Sequence, residues 1–486
     1  MKLAASFQRP RFIGQFRAAA TAILLAPRPT TRRWLHRLAS RAPRDATRRL
    51  YTRTNHLQNS PLFRVGVHRR VRVRIHSCAP GGPGPIRCRA SPEPDRPTGI
   101  HAMPPPINVD DFRTLARRRL PRRVFDYLDG GAEDESGLRR NRAAFERLAF
   151  VPRRLADVST RELATTLLGT RIAAPFVIAP TGLNGLIHPD GDLALARVAQ
   201  RAGIPFALST ASNVSLERLA GEAGGELWFQ LYVMHRELAD SLVQRAARAG
   251  YRTLVITVDV PLNGKRERDL RNGFALPLRY TPGVLLDGLL HPRWSCALLR
   301  GGGVPTLANV GADDNASIEV KTALLRRQMD ASFNWNDLRR LRERWPHRLL
   351  VKGILDAGDA LACLEVGADG VILSNHGARQ LDDAVAPLDM LAAARHACGA
   401  HGTLLVDSGI RRGSDVVKAL ALGANAVMLG RATLYGLAAA GEAGVTRVLE
   451  ILRDEVDRTL AMLGCRNVAE LSASHLVPAA PAGDGI

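Results

Sequence analysis

Gly370-Val371-Ile372-Leu373-Ser374-Asn375-His376-Gly377-Ala378-Arg379-Gln380 opens as a short apolar run and closes in polar and charged groups around a glycine. An apolar run without polar alternation reads as a strand buried on both faces, as in a parallel sheet covered by helices. Working outward, residues 175–180, 205–210, 227–233, 253–259, 349–354, 403–409 and 426–431 form comparable runs rich in Val, Ile, Leu and Phe, making eight in all. Between them, 192–202, 237–249, 335–345, 359–366, 388–397 and 415–422 carry helical periodicity. Eight βα units in about 260 residues predict a closed (β/α)8 TIM barrel. A doubly wound open sheet is the structural alternative, but no G-x-G-x-x-G follows any of the runs.

A (β/α)8 enzyme carries its chemistry at the C-terminal ends of its strands, and here those ends are polar. They read Pro180-Thr181-Gly182, Ser209-Thr210, Gln230-Leu231-Tyr232, Thr257-Val258-Asp259, Lys352-Gly353, Ser374 to Gln380, Asp407-Ser408-Gly409 and Gly430-Arg431. A histidine such as His376 takes a proton at neutral pH, and the fork of Arg379 suits a carboxylate; a capping histidine beside a surface arginine is the bland alternative. The turns Gly409-Ile410-Arg411-Arg412-Gly413-Ser414 and Gly430-Arg431 each run into a helix, so both read as phosphate cradles rather than ordinary βα turns. Lys352 is placed to offset negative charge on a reduced ring, or else snorkels to the rim. Asp259 and Arg266 are candidates to orient the histidine and to bind substrate oxygen, against simple solvation in a loop.

The connection from Asp259 to Leu349 is too long for one crossover and predicts an insertion over about 270–333. Its leucines, Trp294 and flanking Arg279, Arg293 and Arg300 suit a membrane interface or a subunit contact. No run is long enough to span a membrane. Six scattered cysteines without C-x-x-C argue against a disulfide scaffold or a zinc site, and for a reducing compartment. No metal is expected.

The net charge of +22 is concentrated at the N-terminus, where residues 1–102 hold 21 Lys and Arg against 3 Asp and Glu. The remaining 47 and 43 nearly cancel. This Arg-, Pro- and Ala-rich leader lacks the periodicity of a packed segment. It reads as a disordered or untranslated leader, with Met103 as the start of a 103–486 catalytic domain; a signal h-region at 18–26 and a transit peptide are the other readings. A non-catalytic nucleic-acid-binding protein acting through the leader is the remote functional alternative, to be recognised by salt-dependent DNA retention that is lost with residues 1–102.

Ser374 to Gln380, Tyr127 to Glu135, Phe229 to Tyr232, Gly264 to Asp269 and Asp407 to Gly413 together resemble the FMN-dependent α-hydroxy-acid dehydrogenase/oxidase family over residues 109–475. Residues 181–185, 209–213, 290–295 and 327–335 are most similar to its bacterial mandelate-oxidising branch, and Gly182 stands where oxidase members usually have alanine. The resemblance implies His376 as base, Asp259 as holder of its imidazolium, Arg379 and Tyr127 as carboxylate clamp, and Tyr232 and Arg266 at the substrate oxygens. For FMN it implies Pro180, Thr181, Gly182, Ser209, Gln230 and Thr257 at the ring, with Lys352 at its N1/O2 edge. Ser374 lies near the cofactor, Asp407 on the ribityl chain, and Gly409, Arg411, Gly430 and Arg431 at the phosphate.

The implied reaction is oxidation of an L-(S)-2-hydroxy acid, expected to be (S)-mandelate, to its 2-keto acid, with L-lactate or glycolate as the alternatives. The resemblance also implies a homotetramer that is cytoplasmic or bound peripherally to the cytoplasmic side of the inner membrane, with no nucleic-acid partner; the electron acceptor stays open, a respiratory-chain quinone being expected over O₂ if the insertion docks on the membrane.

Overall fold

The computed structural model describes residues 105–274, 282–310 and 329–479. The expectations for 1–102 and Met103, and those resting on Arg279, Arg327 and Gln328, lie outside the described residues.

The eight apolar runs form eight parallel strands. They are β1 (Phe176–Ile178), β2 (Phe206–Ser209), β3 (Leu227–Leu231), β4 (Thr253–Thr257), β5 (Arg348–Ile354), β6 (Gly370–Leu373), β7 (Leu404–Val406) and β8 (Ala426–Leu429). Each pairs with the next, and β8 pairs back to β1, which closes the barrel without an edge. Alternate residues divide between two cores. Val177, Ala207, Trp228, Val255, Leu350, Ile372, Leu405 and Met428 fill the interior, where Leu167 and Ile172 from an antiparallel hairpin join them. Arg348, at the start of β5, bonds Thr170 of that hairpin, so the hairpin plugs the N-terminal end and leaves the C-terminal end for function. The opposite faces, including Phe176, Leu208, Phe229 and Leu254, pack under the helices.

Three helices precede the barrel: α1 (Val109–Arg119), α2 (Arg122–Asp129) and α3 (Ser136–Glu146). The crossovers after β1 to β3 are α4 (Gly191–Ala202), α5 (Leu216–Glu222) and α6 (Arg236–Arg248). The β4–β5 connection holds α7 (Glu267–Arg271), α8 (Pro282–Leu290) and α9 (Pro292–Arg300) before its crossover helix α10 (Trp335–Arg344). Then follow α11 (Ala357–Glu365), α12 (Pro387–Cys398), α13 (Gly413–Ala421) and α14 (Arg431–Leu463), the last kinked at Ala440 and Gly441.

Two features depart from the sequence reading. Ser374 to Gln380 and Asp407 to Gly409 leave the sheet, because His376, Gly377, Ala378, Ser408 and Gly409 adopt positive φ and cannot continue a ladder. The described part of the insertion at 282–310 is a helical arm rather than a bare loop. Trp294 Nε1 donates to the Leu186 carbonyl at 2.7 Å, and Asn309 exchanges hydrogen bonds with Leu216 and Val214. These contacts draw the arm over the loops that follow β1 and β2.

Candidate active site

The tails of the strands converge on one cavity at the C-terminal end of the barrel. Tyr127, Pro180, Thr181, Gly182, Ser209, Tyr232, Thr257, Arg266, Lys352, His376, Arg379, Asp407, Gly409, Arg411, Gly430 and Arg431 all line it. Asp259, Gln230 and Ser374 do not reach its surface, and each instead bonds a residue that does. Asp259 Oδ1 lies 2.9 Å from His376 Nδ1. Gln230 links Ser209 and Thr257 through bonds of 3.0 and 2.9 Å. Ser374 Oγ accepts from Lys352 Nζ at 2.6 Å and from the His376 amide at 3.0 Å.

The histidine is gripped on two sides. Its Nδ1 faces Asp259 and its Nε2 lies 3.2 Å from the Tyr232 hydroxyl, an arrangement that favours a proton on Nδ1 and a lone pair on Nε2 facing the cavity. Burial pushes the Asp259 carboxyl up, but His376 and Lys352 outweigh it and hold the group below the usual carboxylate range. Its Oδ2 is buried without a hydrogen-bond partner among the described residues. Burial raises the Tyr232 hydroxyl well above its ordinary value, so it stays a neutral phenol. Gly353, at φ +105 in a β-bulge, makes this packing possible, since a side chain there would meet Asp259 at 2.6 Å.

Opposite the histidine stand two cations, Arg379 and Arg431, that form no ion pair among the described residues, with Arg266 nearby and paired to Asp269 at 3.6 Å. Arg379 donates to the carbonyls of Tyr127 and Gly130 at 2.8 and 2.9 Å and lies over the Tyr127 ring. Burial and the neighbouring Arg266 and Arg431 push it down to about 9, the signature of a guanidinium that an anion would stabilise. Arg431 donates to the carbonyls of Leu128, Gly130 and Gly377, and burial lowers it too. One carbonyl, that of Gly130, thus receives both arginines. Asp129, beside it, is fixed by a bidentate Arg113 at 2.6 and 2.8 Å and by the Tyr435 hydroxyl at 2.7 Å.

Lys352 is buried between Ser374 and Asp407, with Nζ 3.0 Å from Asp407 Oδ2. Burial opposes its charge, but Asp407 and Asp259 more than offset this and keep the ammonium above its ordinary value. The two cradles expected from sequence differ in how their backbone amides are engaged. After β7, Asp415 takes the amides of Arg411 and Arg412 and Glu455 takes that of Gly413, leaving the Arg411 side chain to face the cavity. After β8, α14 starts at Gly430 with no side-chain cap.

Sequence reasoning missed the apolar wall of Met234, Val260, Leu307, Val310 and Met329, because those residues look like ordinary loop or core positions until the insertion folds over the barrel mouth. It also missed Asp192, which is fully buried and bonded to Asn184 and Ser212 at 2.7 Å each. Asn184 in turn bonds Thr181, so Asp192 ties together the β1 and β2 loops. An acid within a helix whose other residues are mostly apolar was the available signal.

The family described as FMN-dependent dehydrogenase matches residues 116–478. The (S)-mandelate dehydrogenase of Pseudomonas putida is 58% identical over 370 residues, 76% of this chain and 93% of that enzyme. A putative L-lactate dehydrogenase of Mycobacterium tuberculosis is 44% identical over 372 residues, covering 76% and 89%. Among solved structures, one described as the monotopic membrane protein (S)-mandelate dehydrogenase superposes with a TM-score of 0.74 at 57% identity, covering 77% of this chain and 99% of that one.

Proposed function

The chain belongs to the FMN-dependent dehydrogenase family and oxidises a 2-hydroxy acid, and from that premise we propose that its substrate is (S)-mandelate, converted to benzoylformate. The observation that carries the reading is His376, oriented by Asp259, facing Arg379 and Arg266 across a cavity with an apolar wall. Arg379 has no anionic partner among the described residues and suits the carboxylate; Met234, Val260, Leu307, Val310 and Met329 suit an aryl group.

The donor set fits FMN. Arg431, Arg411 and the uncapped start of α14 suit its phosphate, Asp407 its ribityl hydroxyls, and Lys352 with Thr181, Gly182, Ser209 and Thr257 the ring, with Gln230 and Ser374 holding Ser209, Thr257 and Lys352 from behind. When bound, FMN supplies the two-electron acceptor for the carbinol carbon. Arg379 and Tyr127 hold the carboxylate and so fix which face of the substrate His376 meets. His376 Nε2 takes a proton from the substrate, Asp259 stabilises the imidazolium through Nδ1, and the neutral Tyr232 hydroxyl donates toward substrate oxygen.

The test is the visible spectrum of the flavoprotein during anaerobic addition of (S)-mandelate, (R)-mandelate, L-lactate or glycolate. Bleaching by (S)-mandelate alone is the expected result, and bleaching by lactate or glycolate in its place refutes the substrate. In His376→Gln, bound flavin is retained and its reduction slows by about 10²- to 10⁴-fold, the usual worth of a positioned base. Undiminished reduction refutes His376 as the base.

A second reading concerns where the enzyme works. Leu286, Leu289, Leu290 and Leu299 are exposed on α8 and α9, which also carry Arg293 and Arg300. Among the described residues no helix is long and apolar enough to cross a membrane. On this reading the arm docks the enzyme on the cytoplasmic face of a membrane, with its apolar residues in the interface and its arginines at the headgroups, where FMN, when bound and reduced, would give its electrons to a quinone.

A further inference from the structure

The base sits on a turn that ought to be unfavourable. His376, Gly377 and Ala378 have φ of 58°, 65° and 57°, and two of the three carry a Cβ that disfavours the left-handed region. Such a turn persists only when its surroundings over-determine it. The agent here is Asn375, which is 4% exposed and does not line the cavity. Its side chain makes four hydrogen bonds. Oδ1 accepts from the Ala378 amide at 3.0 Å and from Asn141 Nδ2 at 3.0 Å, while Nδ2 donates to the Val385 carbonyl at 3.1 Å and to Asn141 Oδ1 at 2.7 Å.

The Ala378 amide and the Val385 carbonyl fix which way the Asn375 amide points. Position 141 must therefore offer one donor and one acceptor side by side, from a helix far away in sequence, at a place only 2% exposed. We propose that Asn141 is a positioning residue for proton transfer, its amide locked to Asn375 so that the left-handed turn presents His376 and Arg379 to the substrate. The proposal rests on the reading of His376 as the base. Asn141 also lies under the neighbouring loop, where a side chain at Gly409 would meet its carbonyl at 2.8 Å, so the residue has little freedom to move away. Neither half of the pair can be lost cheaply, since an unmatched buried amide forfeits its hydrogen bonds to water as well as to its partner, which the turn can escape only by shifting.

Aspartate at 141 supplies the experiment, because a protonated carboxyl mimics the amide with one donor and one acceptor, whereas a carboxylate sets two acceptors against Asn375 Oδ1. The charged groups on the elements around the pair are already engaged: Arg140 with the Asp382 and Ala384 carbonyls, Arg142 with Asp415, Asp382 with the amides of Ser136 and Gly137, and His376 with Asp259. The flavin-reduction rate constant of the holoenzyme is measured anaerobically at saturating hydroxy acid, using whichever acid of the panel above reduces the parent fastest. Flavin content and spectrum are recorded alongside.

Asn141→Leu should keep its flavin yet reduce it about 10- to 100-fold more slowly at every pH, as a misplaced base does. For Asn141→Asp, the rate relative to the parent at the same pH should rise as pH falls, because the carboxyl regains its donor. A residue that served stability alone would not give this pH-dependent ratio. The proposal is overturned if Asn141→Leu stays within about twofold of the parent, or if the Asn141→Asp ratio is flat with pH; undiminished flavin reduction in His376→Gln instead overturns the reading of His376 as the base, and the proposal with it. Should Asn141→Leu fail to fold, the Asn141→Asp ratio decides alone.

Discussion

At the scale of single residues, the site is organised by mismatched charges. Among the described residues Arg379 and Arg431 are enclosed and hydrogen-bonded only to carbonyls, a state that costs free energy until anions arrive. Asp259, by contrast, is an enclosed anion held ready for the imidazolium that proton transfer creates. Asp192 is a different case, because burial pushes its carboxyl up to about 6, outweighing the hydrogen bonds from Ser212, Asn184 and the Asn213 amide. The folded state therefore binds its proton more tightly than the unfolded chain. The stability that this group contributes is full below the ordinary carboxylate value and is lost as pH rises through about 6, on the order of 2–3 kcal/mol. Asn at 192 cannot titrate, so the melting temperature of Asp192→Asn relative to the parent should climb between pH 5 and pH 8. A difference that stays constant over that range refutes the assignment.

At the scale of elements, the loops beyond the strands do the work. Gly264 has to be glycine because a side chain there would run into the Arg379 carbonyl, and its amide bonds Gln380 Oε1 at 3.1 Å, stapling the β4 loop to the β6 loop. Neither contact follows from spacing, since 264 and 380 meet only across the barrel mouth. The α8–α9 arm poses the same problem in reverse. Its leucines were legible as apolar, but a buried and an exposed leucine look alike in sequence, and only the fold leaves Leu286, Leu289 and Leu290 facing solvent. If these anchor the protein, Leu286→Glu with Leu289→Glu and Leu290→Glu moves activity from the membrane fraction to the supernatant while leaving flavin reduction within about twofold, because burying three charges in the interface is costly. Retention of the triple variant on membranes sinks the anchor.

At the scale of the whole molecule, the described residues fall within one compact unit, Ile100–Ile486. We propose that residues 1–102, with their excess of arginine, are dispensable to it. Protein expressed from Met103 should bind FMN and turn over like the full chain, and a colourless product that FMN does not restore would show that the leader is needed. The barrel was legible because a strand covered on both faces must be apolar throughout, and eight such runs admit few arrangements. Most of the site was legible for a related reason: polar groups at the ends of buried strands have nowhere to go but the mouth. Sequence by itself thus determined the fold, the cavity's location, and the chemical types that meet there. Only the tertiary structure decided which partner each group has: that Gly130 serves two arginines, that Asp415 takes the amides of Arg411 and Arg412, and that Asn141 braces Asn375. Those pairings join residues distant along the chain, and a hydrogen bond depends on position to within a fraction of an ångström, which composition and periodicity do not encode.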